Sequence, residues 1–179
     1  MRGQPNDTYS RNRKDNERRG NPALRILVDA DGCPVVDRTI AIAKKANVPV
    51  LLVCDTAHVL EREGAETLTV DQGPDSADFR LVNLLKPGDL VVTQDYGLAA
   101  MALARAALVL DQNGMRYTAE NIDSLLLARH TARKIRMGGG RLKGPAKRTR
   151  EQDDAFERSL TALLEPTASV ATAADSPAR

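Results

Sequence analysis

The sequence predicts an α/β layered fold built around a mostly parallel sheet. Two observations carry that expectation, and a third adds what the fold is for. Short apolar runs alternate with helical patterns through the middle of the chain, as βα units require. The runs Ile26-Leu27-Val28, Leu68-Thr69-Val70 and Leu90-Val91-Val92 read as buried parallel strands. Each run also delivers aspartate at or just past its C-terminal end: Asp29 and Asp31, then Asp71 with Asp75 and Asp78, then Asp95.

The elements follow in order. A strand near 25–30 leads to a helix over about 35–46, and a strand near 48–54 leads to a short helical turn near 57–63. A third strand near 66–70 precedes a helix of about 76–85, with Asp75 placed to cap it. A strand near 89–93 is followed by an Ala/Leu-rich helix of about 97–106, and another strand lies near 107–111. Asn113-Gly114 then suits a two-residue hairpin turn with a short return at Met115–Tyr117. A long helix over about 119–137 starts at Thr118 and packs Ile122, Leu125, Leu126 and Leu127 at its front. Arg129, Arg133, Lys134 and Arg136 fill its later turns, where cations suit the helix dipole. The capping box Thr149-Arg150-Glu151-Gln152 opens a last helix that buries Phe156, Leu160, Leu163 and Leu164.

A chain of 179 residues suits one domain plus tails. Residues 1–23 are polar and rich in Arg and Asn, which predicts a disordered basic arm, and 166–179 predict a disordered tail. Between them, 24–165 form the domain. With no Trp and only Phe79 and Phe156, the core is aliphatic, and platforms for stacking bases are few. Cys33 and Cys54 have no His in ligand-like spacing, which argues against zinc. No apolar span long enough for a membrane and no secretory signal is evident, so a cytoplasmic protein is expected.

The net charge of +2 hides a strong segregation. Residues 26–128 carry 8 Lys+Arg against 15 Asp+Glu, whereas 129–150 carry 9 against 0. An acidic body with a basic segment suits contact with a polyanion, or else a solvated helix face and loop, which a charge run alone more often is.

Ligands of open parallel sheets bind outside the carboxyl ends of the strands. Carboxylates gathered there repel one another unless a cation, a proton or a basic ligand relieves them. Each aspartate alone also suits a helix N-terminus, which a cap stabilises by about 0.5–2 kcal/mol. Three of them on one sheet edge point instead to a hard divalent ion, Mg2+ or Mn2+, held by Asp29, Asp78 and Asp95 with Asp31 or Asp75 assisting. Such an ion suits chemistry on a phosphodiester. Cys33 stands among acids with no His beside it, which favours core filler over nucleophile.

Four separated motifs occur in order: Asp29-Ala30-Asp31-Gly32-Cys33-Pro34-Val35, Asp71-Gln72-Gly73-Pro74-Asp75-Ser76-Ala77-Asp78, Val92-Thr93-Gln94-Asp95-Tyr96-Gly97-Leu98-Ala99 and Gly139-Gly140-Arg141-Leu142-Lys143-Gly144-Pro145. Together they resemble the YaiI/YqxD family of uncharacterised bacterial proteins, a family similar to PIN-like nuclease domains, over roughly 24–165. The resemblance implies a PIN-like three-layer α/β/α sandwich and a metal-dependent ribonuclease site. Asp29, Asp78, Thr93 and Asp95 match that pattern, and Asp31, Asp75 and Asp111 are candidates for a fourth acid. Arg133, Lys134, Arg136, Arg141 and Lys143 are the expected phosphate contacts. A non-catalytic RNA or ribonucleoprotein binder is the alternative. A second, shorter resemblance links Ile26–Gly32 to the first motif of haloacid-dehalogenase-type phosphatases, with Asp29 as nucleophile and Asp31 as acid/base. In that family Thr or Val commonly stands where this chain has Cys33.

Overall fold

A computed structural model describes residues 24–56, 60–71, 73, 76–139 and 147–165. The expected arm at 1–23 and tail at 166–179 lie outside the described residues, as do Asp75, Arg141 and Lys143. In chain order the elements are β1 (Ile26–Asp29), α1 (Val36–Ala46), β2 (Val50–Asp55), β3 (Glu66–Val70) and α2 (Ser76–Leu84). They continue with β4 (Leu90–Val92), α3 (Tyr96–Ala104), β5 (Leu108–Leu110), β6 (Arg116–Tyr117), α4 (Ala119–Met137) and α5 (Arg150–Leu164).

The strands form one sheet in the order β3-β2-β1-β4-β5-β6. The first five are parallel, and β6 returns antiparallel to β5 through a three-residue loop, 112–114, in place of the expected two-residue Asn113-Gly114 turn: the Asp111 N–H donates to the Met115 carbonyl at 2.8 Å, and Gly114 alone of the loop takes a positive φ, 87°. Strand side chains alternate between the two faces. Ile26, Val28, Val50, Leu52, Leu90 and Val92 pack under α1 and α5, with Phe156 and Leu160 fully buried. Leu27, Leu51, Val53, Val91 and Val109 pack under α2, α3 and α4. The molecule is therefore an α/β/α sandwich of three layers.

Strand order explains why the helices change face. The chain moves one way across the sheet from β1 to β2, then back through β4 and β5. Right-handed crossovers put helices on opposite faces for opposite directions of travel. The reversal point lies between β1 and β4, where a crevice opens at the carboxyl ends of the strands.

Three further details differ from expectation. The helical turn near 57–63 is not found where it is described: 60–62 are irregular and 63–64 form a turn, while 57–59 lie outside the described residues. Helix α3 ends at Ala104 because Ala106 takes a left-handed φ of 57° that breaks the helical path. Leu127 is 65% exposed rather than packed. Ile122, Leu125 and Leu126 share one face of α4 against the sheet, and one further residue turns Leu127 off that face.

Buried polar groups brace the ends of the sheet. Arg25, just before β1, donates through Nε and Nη2 to both oxygens of Asp89, just before β4, at 3.1 and 2.5 Å. The same arginine reaches the Leu84 carbonyl at 2.7 Å, and the Lys86 N–H donates to Asp89 at 2.8 Å. Arg148 ties α5 to the hairpin, donating to Asp153 at 2.6 Å, Asn113 at 3.0 Å and the Gln112 carbonyl at 2.6 Å. Thr149 and Gln152 form the expected capping box. Among the described residues no helix is long and apolar enough to cross a membrane.

Candidate functional site: a carboxylate edge beneath a basic helix

Asp29 is the last residue of β1, in register with Val53 of β2. A buried strand ends there because Gly32 takes φ +71°, which turns the chain toward α1. The loop is tied across the crevice by Gln94 Nε2, which donates to the Gly32 carbonyl at 3.3 Å. Asp31, two residues past Asp29, accepts from the Asp55 N–H at the end of β2 at 3.2 Å.

Strand β4 contributes the second half. Thr93 is 2% exposed, and its hydroxyl donates to Asp29 Oδ2 at 2.8 Å. The Thr93 Oγ1 in turn accepts the Asp95 N–H at 3.0 Å, so the hydroxyl proton is committed to Asp29. Asp95 caps α3: its Oδ1 accepts from the Gly97 N–H at 2.6 Å and the Leu98 N–H at 3.1 Å. Its Oδ2 accepts from Arg129 Nη1 at 2.9 Å. The Arg129 guanidinium also stands 5.9 Å from the centre of the Tyr96 ring, within cation–π reach.

The electrostatics bind these pieces into one site. Burial pushes the Asp29 carboxyl up from 3.8 to about 6. The Thr93 hydrogen bond opposes that rise, and the charges of Asp78, Asp31 and Asp95 reinforce it. Asp78, in the first turn of α2, thus lies within electrostatic reach of Asp29 although 49 residues separate them in sequence. Asp95 behaves oppositely. Its burial acts upward, but Arg129 and the α3 N–H groups outweigh it and hold the carboxyl below its ordinary value. Burial pushes the Cys33 thiol up to about 11, which keeps it protonated and unreactive at neutral pH.

Hydrogen bonds join Asp29, Thr93 and Asp95, and the charges of Asp31 and Asp78 act on Asp29. Asp111 is not part of the group: its carboxylate accepts from the Asn113 and Met115 N–H groups at 2.8 and 2.7 Å and anchors the hairpin. Arg133, Lys134 and Arg136 are exposed on the outer turns of α4. Arg129 is the residue that sequence reasoning placed on the helix but not in the site. The available signal was its position three and four residues after Leu126 and Leu125, which continues their packed face.

The donors suit a hard divalent ion in kind, being oxygen ligands with an excess of negative charge that raises the Asp29 carboxyl. They do not close a cage. Among the described residues no three of His, Cys, Asp or Glu stand together as ligands for an ion. Asp95 is turned to Arg129, and Asp75 lies outside the described residues.

Residues 27–166 match the model of a family described as uncharacterised BCR, YaiI/YqxD family. A UPF0178 protein of Exiguobacterium sibiricum is 57% identical over 141 residues, covering 79% of this chain and 96% of that protein. UPF0178 proteins of Ruminiclostridium cellulolyticum and Alkaliphilus oremlandii are 48% and 50% identical over 143 and 142 residues, covering 80% and 79% of this chain and 94% and 92% of their own lengths. No solved structure matches the chain.

Proposed function

Because this chain belongs to the uncharacterised YaiI/YqxD family, we propose a function from the site itself: a divalent-metal-dependent phosphodiesterase acting on RNA. The observation that carries the reading is the linkage of Asp29 and Asp95 through Thr93 where the strand order reverses, with the charges of Asp31 and Asp78 acting on Asp29. The resemblance of Asp29, Asp78, Thr93 and Asp95 to the PIN-like nuclease pattern, and the basic helix α4, support it.

Asp29, Asp31 and Asp78 would hold Mg2+ or Mn2+, with Asp95 and Asp75 to complete the set. The ion supplies charge neutralisation on a phosphate and an acidified water. Thr93 fixes the rotation of Asp29, since its hydroxyl donates to Asp29 Oδ2 while accepting the Asp95 N–H. Arg133, Lys134 and Arg136, with Arg141 and Lys143, would contact backbone phosphates, which position a strand without reading its sequence. The two free thiols suit a reduced, cytoplasmic setting.

The test is Mn2+-dependent cleavage of single-stranded RNA by wild type, Asp29→Asn and Asp95→Asn. Asparagine also caps a helix, so α3 survives the second change. Both variants are expected to lose at least about 100-fold in rate, the upper end of what losing a mere outer-shell partner costs. Undiminished cleavage by either sinks the proposal.

One observation favours a second reading, a non-catalytic RNA binder: Asp95 is already neutralised by Arg129. That reading expects RNA binding that weakens steeply with salt, persists in EDTA and brings no cleavage in Mn2+. A beryllofluoride adduct on Asp29 would instead indicate phosphomonoester hydrolysis through a phosphoenzyme.

A further inference from the structure

Helix α4 outruns the body that supports it. It starts just after β6, and by Arg129 it has reached Asp95, beyond the carboxyl end of β4. From 127 to 139 every residue but Ala132 is exposed, so the last turns stand clear of the sheet edge. The face that holds Ile122, Leu125 and Leu126 on the body continues outward as Arg129, Arg133 and Arg136, at the spacing of a helix face. Once past the body, that face overlooks the carboxyl ends of the strands, and its three arginines line about 10 Å of helix. An aromatic ring lies at the inner end of the stripe. Tyr117 and Phe156 are buried, but Tyr96 is only partly so. Arg129 stands over the Tyr96 ring, 5.9 Å from its centre, and Tyr117 meets that ring edge-on at 6.0 Å. The sheet edge below is acidic, with the charges of Asp31, Asp78 and Asp95 acting on Asp29. A phosphate backbone is repelled there and attracted to the arginines, so its favoured path runs along α4.

We propose that this corner is a seat for single-stranded RNA, in which Arg129, Arg133 and Arg136 hold backbone phosphates and the Tyr96 ring, with Arg129 beside it, stacks an unpaired base. The seat rests on the RNA half of the function proposed above and on no metal ion, and what it adds is the form of the strand. Stacking needs a free π-face, which a base inside a duplex has already given to its neighbours. A duplex would also bring a second backbone toward the carboxylates, where repulsion is greatest. Arg129 can serve without leaving Asp95. It gives Nη1 to Asp95 Oδ2 at 2.9 Å, its side chain is 55% exposed, and a guanidinium has further N–H donors in the same plane.

The experiment is fluorescence anisotropy in EDTA over a salt series, with a single-stranded RNA oligonucleotide, its duplex and an abasic strand of equal length. Wild type should hold the single strand more tightly than the duplex, and at least about fivefold more tightly than the abasic strand, the lower end of what stacking one base contributes. Arg129→Ala, Arg133→Ala and Arg136→Ala should each give a log–log slope on the single strand shallower by about 0.7, one phosphate contact fewer. Arg105→Ala removes an exposed cation at the far end of α3 and should leave the slope unchanged. Tyr96→Leu should lose the preference for the intact strand and keep its hold on the abasic one, which shows that the arginine stripe is still in place. Tyr96→Phe keeps the ring and should match wild type. A duplex held as tightly as the single strand, an abasic strand held as tightly as the intact one, or slopes unmoved by the three arginine changes each overturn the seat while RNA binding stands. If wild type holds none of the three at low salt, the RNA reading itself fails and takes the seat with it.

Discussion

Asp29 should cost the protein stability, and the cost can be worked from its surroundings. Its carboxyl is raised from 3.8 to about 6, chiefly by burial and then by the charges of Asp78, Asp31 and Asp95 against the Thr93 hydrogen bond. That displacement corresponds to about 3 kcal/mol of penalty on the ionised form. The folded state holds the proton more tightly than the unfolded chain, so the penalty is absent below pH 3.8 and grows until the pH has passed about 6. Asp29→Asn removes the charge and keeps an oxygen for the Thr93 hydroxyl, whose hydrogen bond to the ionised carboxylate is already counted in the net displacement. The variant should therefore be about 3 kcal/mol more stable than wild type at pH 8. At pH 4 the gain should shrink to the few tenths of a kcal/mol typical of a neutral exchange. Urea denaturation in EDTA at both pH values reads the difference directly. An asparagine variant no more stable than wild type at pH 8, or one equally stabilised at both pH values, refutes the reasoning. A gain would also mean that the charge is retained at the expense of the fold.

Two further changes probe the frame of the site. Arg25→Met leaves Asp89, 2% exposed, without its bidentate partner and should lose about 3–5 kcal/mol. Pairing it with Asp89→Leu should recover much of that loss, and a denaturation cycle that shows no coupling would contradict the account. Gly114→Ala places a methyl 2.6 Å from the Ala155 carbonyl at a residue with φ +87°. A loss of at least about 2 kcal/mol is expected, read as a lowered Tm, and a wild-type Tm would show that α5 yields at no cost.

Much of this arrangement was legible because it is written locally. A buried parallel strand is a short apolar run, and the aspartate that ends it is the next residue or two along. Asp29 and Asp95 could be placed by counting strand ends, Thr93 came from the resemblance to PIN-like domains, and Thr149 with Gln152 announced α5 by spacing alone. What escaped depends on rotation and distance. Leu127 is apolar and adjacent to packed residues, yet one step around α4 carries it into solvent. The Arg25–Asp89 pair spans 64 residues, and nothing near either residue signals the other. Arg129 looked like one cation in a basic run until the tilt of α4 set it against Asp95. Asp111 shows the reverse: Asp-Gln-Asn-Gly is a turn pattern, and its carboxylate is spent on the turn's own N–H groups.

The placement of α5 has a consequence for how the protein is made. The sheet face that carries Ile26, Val28, Val92 and Leu110 is covered partly by α1, from the start of the domain, and partly by Phe156 and Leu160, from its end. A ribosome that has delivered the chain as far as Met137 has supplied every strand and the whole of the opposite helical layer. The growing chain at that moment still presents half of one sheet face to water, an aliphatic surface of the kind that chaperones grip and that drives aggregation. The carboxylate edge, by contrast, is complete in sequence well before the last helix is made. Closure of the core therefore waits for α5, and a product cut short after α4 would carry the elements of its site on an exposed and sticky body.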